Sequence, residues 1–116
     1  MSLNSKNKGK RGELEFSALC RAKGYDTHRT QQFCGNTGES ADVIGLLGIH
    51  VEVKRNERLN IYNAMAQAMN DSNAEGEGNI PIVAFRKNRK PWLVTMNADD
   101  FFKLYKAWLE INSGSV

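Results

Sequence analysis

The alternation of apolar and polar residues along the chain predicts three helices and five strands. Apolar side chains recur at helical spacing in segments 11–23, 60–73 and 101–109, the last preceded by a possible N-cap at 97–99. The predicted strands are 25–33, 41–46, 49–54, 80–85 and 92–96. A turn near Gly48 makes the second and third strands a hairpin. This order predicts an α/β sandwich, in which helices cover both faces of a mixed sheet.

Length and composition are typical of one globular domain. The chain has 116 residues, of which 41% are hydrophobic and 25% charged. We expect a flexible basic leader at 1–9, a single domain at 10–111 and a tail at 112–116. We also expect no membrane span and no secretory signal. Cys20 and Cys34 are too few for a disulfide scaffold, so we expect a cytoplasmic setting.

The basic residues are clustered, although the net charge is only +3. Clustered lysines and arginines on a small domain favour a polyanionic partner, most often nucleic acid. The alternative is that each cluster is an ordinary solvated loop. Including one arginine of the first strand, the candidate DNA-binding residues are Lys8, Lys10, Arg11, Arg29, Arg55, Arg58, Arg86, Lys87, Arg89 and Lys90.

Strand 49–54 (IHVEVK) carries the candidate chemistry. Side chains alternate along a strand, so Ile49, Val51 and Val53 share the core face and His50, Glu52 and Lys54 share the other. The hairpin brings Asp42 of the preceding strand close to Glu52 and Lys54. Two carboxylates, with the backbone carbonyl of Val53 as a third oxygen, suit Mg²⁺.

Such a cation would support phosphodiester hydrolysis by lowering the pKa of water and neutralising charge in the transition state. Lys54 would hold the attacking water or stabilise that charge. The alternative is an exposed hairpin with a cross-strand ion pair, which contributes only about 0–1 kcal/mol.

Glu13 of the first helix strengthens the catalytic interpretation. It shares the apolar stripe of Phe16 and Cys20, whereas Glu15 should face solvent. A carboxylate on a core-facing stripe is unfavourable unless it is paired or binds a metal. The alternative is that Glu13 only complements the helix dipole.

These residues resemble a known pattern, which runs from Lys8-Gly9 and Glu13 through Gly24-Tyr25 and Arg29 to Asp42 and Glu52-Val53-Lys54. The pattern is similar to that of the PD-(D/E)XK nuclease superfamily, and within it to archaeal-type Holliday junction resolvases and small phage-encoded endonucleases. The resemblance covers nearly the whole chain. Ala41 stands where the motif often has proline, and the middle helix with loop 74–79 fits the phage-type nucleases better.

The resemblance implies a restriction-endonuclease-like αβββαβ core and a metal-dependent DNA endonuclease. It implies metal binding by Asp42 and Glu52, a catalytic role for Lys54, an accessory acid at Glu13 and a phosphate contact by Arg29. Gln67 occupies the position of a glutamine near the active site of many relatives; alternatively it is an ordinary polar residue on a helix.

The remaining expectations concern cofactor, partner and substrate. Mg²⁺ is the expected cofactor, with Mn²⁺ able to substitute, and DNA, including branched DNA, is the expected partner. Symmetric cutting of a junction would be served by a homodimer. Alternatives are a nuclease acting on flapped, nicked or linear DNA, and an inactive DNA-binding module. His50 is interpreted as an ordinary polar strand residue; the alternative is that it touches the site, because it shares the face of Glu52. Trp92, Phe101, Phe102 and Trp108 are interpreted as core.

Overall fold

The fold was analysed in a computed structural model, which describes residues 2–30 and 41–113. The elements in chain order are α1 (Ser2–Ala22), β1 (His28–Arg29), β2 (Val43–Ile44), β3 (Ile49–Lys54), α2 (Ile61–Glu75), β4 (Ile80–Phe85), β5 (Leu93–Met96) and α3 (Ala98–Ser113). The predicted α/β class and mixed sheet with flanking helices are confirmed.

The five strands form one sheet in the order β1-β2-β3-β4-β5. Strands β3 and β4 are parallel, and the other neighbouring pairs are antiparallel. The predicted hairpin is present, with Val43 paired to Val51. A parallel pair needs a long crossover connection, which α2 supplies. The arrangement leaves β3 in the centre of the sheet with neighbours on both sides.

The sheet is buried on both faces. On one face Phe16 and Cys20 of α1 pack against Val51, Val53 and their neighbours on adjacent strands. On the other face, Ala64, Met65 and Ala68 of α2 pack against Val83. Both faces of β3 are therefore covered, and its polar side chains on the α2 face are buried with the apolar ones.

Helix α1 lies very close to β3 at Gly12. A Cβ atom at this position would come within 2.8 Å of the Cβ of Arg55 and 3.5 Å of a methyl carbon of Val53. Glycine removes that steric limit, so the helix backbone and the strand end can approach each other. The approach sets the position of Glu13, the next residue of the helix.

Several predicted boundaries differ from the structure. Helix α1 begins at Ser2, so residues expected to form a leader are helical, and α3 extends to Ser113. Strands β1 and β2 each contain only two residues, although longer strands were expected. Cys34 and the predicted strand residues 31–33 lie outside the described part of the chain.

The prediction that Phe101, Phe102 and Trp108 belong to the core is wrong. No residue of α3, which is described over its full length, is buried. These three side chains are 50%, 60% and 57% exposed, respectively. Trp92, in contrast, is half-buried and packs on Phe16 with ring centroids 5.2 Å apart. The helix is amphipathic, as its sequence predicts, but residues 2–30 and 41–113 provide no layer that buries its apolar face.

Within the described residues, no helix combines the length and the apolar character needed to span a membrane.

Candidate metal centre

Asp42 directly precedes β2 and is held by backbone hydrogen bonds to the neighbouring segments on both sides in the sheet. Its backbone N–H donates to the carbonyl of Val51 (2.8 Å), and its carbonyl accepts from the N–H of Thr30 (2.9 Å). Its carboxylate Oδ2 accepts from the N–H of Val53 (2.8 Å). The antiparallel register thus places the Asp42 carboxylate beside β3, next to the residue after Glu52.

Glu52 lies in the middle of the α2 face of β3 and is only 2% exposed. Its Oε1 is 2.9 Å from His50 Nε2, as expected for side chains that share one face of a strand. Asp71 reaches the same point from α2, and ligand atoms of His50, Glu52 and Asp71 lie within 4.8 Å of one another. Asp42 also acts on Glu52 electrostatically and through a side-chain hydrogen bond.

The electrostatics of this carboxylate cluster favour a cation. Burial raises the pKa of Glu52, and the neighbouring carboxyl groups of Asp42 and Asp71 raise it further, against the hydrogen bond from His50. Crowded buried carboxylates are costly when they are ionised and uncompensated. Oxygen donors from Asp42, Glu52 and Asp71 are the ligands that Mg²⁺ prefers, so the residues fit a hard divalent ion.

Glu13 approaches this cluster from α1, as its place on the apolar stripe predicts. Burial raises the pKa of Glu13, and the charge of Asp42 raises it further, whereas Arg29 and Lys54 lower it. Arg29 Nε is 3.0 Å from Glu13 Oε1, and both side chains are largely buried. Arg29 therefore pairs with an acid at the edge of the site and is not an open phosphate contact in this conformation.

Lys54 and Gln67 meet at the end of β3. Lys54 Nζ donates to Gln67 Oε1 over 2.8 Å. The structure thus brings together five of the predicted residues, in two groups joined by electrostatic interactions: Glu13, Asp42, Glu52, Lys54 and Gln67. The carbonyl of Val53 as a metal ligand stays a prediction; its N–H is the group seen in contact with Asp42.

The predicted basic residues separate into two sets. Lys10, Arg11, Arg58, Lys87, Arg89 and Lys90 are exposed. Lys8 is half-buried beside Glu57, and Arg86 is half-buried between Glu15 and Trp92.

For Arg55 the DNA-binding prediction is wrong. Its side chain is 8% exposed and is held by Glu15 (3.4 Å), Glu57 (3.8 Å) and the side-chain oxygen of Asn88 (2.9 Å). Glu15, which was expected to face solvent, is half-buried because it pairs with Arg55 and Arg86.

Three residues near the site were missed as site residues in the sequence: His50, Asp71 and Glu75. One signal was available for the last two, because Gln67, Asp71 and Glu75 are spaced by four residues and share a face of α2. Once Gln67 is placed beside Lys54 of β3, the four-residue spacing directs Asp71 and Glu75 toward the same strand. The strand alternation puts His50 on the face of Glu52, but its contact with Glu75, 25 residues away, has no signal in the sequence near His50.

Comparisons with known proteins bear on this geometry. Residues 4–113 match the family described as “Phage putative PDDEXK endonuclease”. No curated protein matches the chain. Among solved structures, the fold is similar to Hjc, a Holliday junction resolvase from Archaeoglobus fulgidus, with a TM-score of 0.58 and 20% identity over 76% of each chain. At that identity the likeness supports the fold.

Proposed function

Since the chain belongs to this phage PDDEXK endonuclease family, we propose that it hydrolyses DNA at the cluster around Asp42 and Glu52, with Mg²⁺ as the cofactor. The observation that carries the proposal is that the carboxyl groups of Asp42 and Asp71 both lie beside the buried carboxyl group of Glu52. Crowding of carboxylates at that point costs stability unless a cation shares it. Mn²⁺ should substitute for Mg²⁺, because both accept carboxylate oxygens.

The roles of the surrounding residues follow from their positions. Asp42 and Glu52 would hold the cation, with the Val53 carbonyl as a further oxygen, and the bound cation would lower the pKa of water and offset phosphate charge. Lys54, oriented by Gln67, would orient the attacking water or neutralise charge that develops on the phosphate. Glu13 would act as an accessory acid at the Arg29 side of the site.

The test compares Glu52→Ala with Glu77→Ala, which removes an exposed carboxylate bonded to the nearby Asn79. We expect the first substitution to abolish Mg²⁺-dependent cleavage while DNA binding is retained, and the second to leave cleavage unchanged. Full cleavage by the Glu52 variant would contradict the site. Tight DNA binding by the wild type without cleavage in Mg²⁺ or Mn²⁺ would favour the inactive DNA-binding module.

The exposed lysine and arginine side chains would bind the phosphates of DNA without reading its bases. We propose a structure-selective activity similar to that of a junction resolvase; the alternative is a phage-type nuclease that acts on flapped, nicked or linear DNA. A panel of four-way junction, flap, single-stranded and duplex DNA separates them. Symmetric cuts in the junction support the first, and preference for ends or flaps supports the second. DNA as substrate also agrees with the predicted cytoplasmic setting.

A homodimer is the second part of this proposal, and the exposed face of α3 supports it. Phe101, Tyr105 and Trp108 form a stacked series along the helix, with successive ring centroids 6.1 Å apart. An aromatic side chain can bury about 150–250 Å². Each of these three is about half exposed, so about half of that area is available for a contact with a second copy. Leu104 and Leu109 are exposed beside these rings on the same side of the helix, so α3 would supply roughly half of the about 800 Å² per partner of a standard interface. A second copy would cover this face by pairing the two helices about a two-fold axis.

A further inference from the structure

A chain of hydrogen-bonded side chains runs from the end of α2 to the carboxylate cluster. Glu75 Oε1 is 2.8 Å from His50 Nδ1, and His50 Nε2 is 2.9 Å from Glu52 Oε1. The His50 side chain has no exposed surface, and those of Glu52 and Glu75 are 3% and 20% exposed. Water therefore has little access to the imidazole ring, and these two carboxyl groups are the hydrogen-bond partners of its nitrogens.

The second oxygen of Glu75 reaches the other predicted metal ligand. Glu75 Oε2 accepts from the backbone N–H of Ala41 over 3.2 Å. Ala41 is buried and directly precedes Asp42. One carboxylate thus contacts the backbone beside Asp42 and, through His50, the carboxylate of Glu52.

Glu75 is itself firmly placed. It is the last residue of α2, and the helix ends at Gly76, which takes a left-handed conformation (φ 69°) and donates its N–H to the carbonyl of Asn73. Nearby, Ser72 donates its hydroxyl to the carbonyl of Asn79. The end of α2 is therefore held in place, and this fixes the direction in which the Glu75 carboxylate extends toward Ala41 and His50.

Both ring nitrogens of His50 are occupied by carboxylate oxygens. Nδ1 is directed at Glu75 and Nε2 at Glu52, so each nitrogen already has a carboxylate partner. Although His50 lies close to Glu52 and Asp71, its geometry is that of a group that orients a ligand.

We propose that Glu75 and His50 are positioning residues, which hold Glu52 and the Asp42 segment in the arrangement that binds the divalent cation. The inference rests on the proposed function, because it assigns a role toward the same cation. Partners of metal ligands orient them, and losing one typically weakens metal affinity about 10–100-fold. Glu75 and His50 act through other residues and do not touch the substrate.

The decisive variants are Glu75→Ala, Glu75→Asp and Glu75→Gln. Alanine removes both acceptors, and aspartate keeps the charge but is one methylene too short to reach both partners. Glutamine preserves the chain, because its oxygen can accept from Ala41 while its N–H₂ group donates to His50 Nδ1. His50 then presents Nε2–H to Glu52. Glu77→Ala, two residues away and exposed, is the matched control.

Two measurements are made on each folded variant: Mn²⁺ binding to the protein without DNA, followed by electron paramagnetic resonance, and the Mg²⁺ concentration that gives half-maximal cleavage. We expect the alanine and aspartate variants to require at least tenfold more metal in both. We expect the glutamine variant and the control to stay within about threefold of the wild type. DNA affinity in the absence of metal should be unchanged throughout.

Three outcomes would overturn the inference. In the first, the alanine and aspartate variants fold and respond to metal as the wild type does, which refutes the positioning role and leaves the proposed function intact. In the second, the variants melt at lower temperature with unchanged metal dependence, which makes Glu75 purely structural. In the third, the wild type binds Mn²⁺ no better than Glu52→Ala does, and then the proposed function fails together with the inference built on it.

Discussion

Replacing Glu52 by glutamine should stabilise the metal-free protein while it abolishes cleavage. Glu52 is almost completely buried and lies beside two further carboxyl groups, Asp42 and Asp71. An amide of the same shape carries no charge. It can accept a hydrogen bond from His50 and donate one to a neighbouring carboxylate. The substitution therefore removes the cost of burying an acid beside two carboxyl groups, without leaving a cavity.

The size of the effect follows from the pKa of Glu52, which is raised from 4.5 to about 8. At pH 7 the folded protein retains a proton that the unfolded chain releases. At pH 7 the cost of keeping that proton runs from the unfolded pKa of 4.5 up to the pH itself. At about 1.4 kcal/mol per pH unit, this is about 3 kcal/mol. Glutamine avoids this cost, but its amide has two N–H donors where the protonated carboxyl group has one O–H, and a donor without a partner offsets about 1–2 kcal/mol. The net gain is about 1–2 kcal/mol, or a rise in Tm of roughly 5 °C.

The assay is thermal unfolding in EDTA at pH 7, repeated with saturating Mg²⁺. Glu52→Gln should melt above the wild type in EDTA. Mg²⁺ should raise the Tm of the wild type and leave that of the variant unchanged, because binding only to the folded state is what stabilises it. Glu77→Gln, an exposed substitution of the same kind, should match the wild type in both. A Glu52→Gln variant that melts at or below the wild type in EDTA would refute the electrostatic reasoning.

Three further predictions concern pH, the basic residues and α3. In metal-free protein the pKa of His50 is raised from 6.5 to about 9 and that of Glu52 is also raised. The folded state therefore binds more protons than the unfolded chain, and the free energy of unfolding should fall between pH 6.5 and about 9. Denaturant titrations in EDTA across that range would check this, and a rising free energy would contradict it. Arg55→Ala should lower the free energy of unfolding and leave the salt dependence of DNA binding unchanged, because its partners are all within the chain. Lys87→Ala should leave the free energy of unfolding unchanged and reduce the slope of log K against log salt by about 0.9, for one lost phosphate contact. Equal slopes for the two variants would contradict the division of the basic residues into buried and exposed sets. Trp108→Glu should halve the mass measured by light scattering without lowering stability, and an unchanged mass would exclude α3 as the contact between copies.

The central part of the fold was predictable because its signals are local. Strands β3 and β4 have the predicted bounds, because apolar and polar residues alternate along β3 and apolar residues fill β4 apart from Pro81. Strands β1 and β2 are shorter than predicted. Strand β2 ends just before Gly45, which takes a positive φ of 117° although it lies inside the apolar run that predicts a strand.

The predicted residues of the site came from one strand pattern and one helix stripe. Glu52 and Lys54 share a strand face, and Glu13 shares a helix stripe with Phe16, so periodicity alone places them. Arg55 was misassigned because its charge suggests an exposed residue, whereas its partner Glu15 lies 40 positions earlier in the chain. Burial of a charged side chain depends on such distant partners.

The close approach at Gly12 shows how the protein trades local preference for placement. Glycine inside a helix costs about 1 kcal/mol relative to alanine. Alanine at position 12 would improve the helix but would press a methyl group against Arg55 and drive α1 away from the strand. The alanine would therefore lose in this contact at least what it gains in the helix, and it would carry Glu13 away from Asp42, although Gly12 itself has no side chain with which to do chemistry.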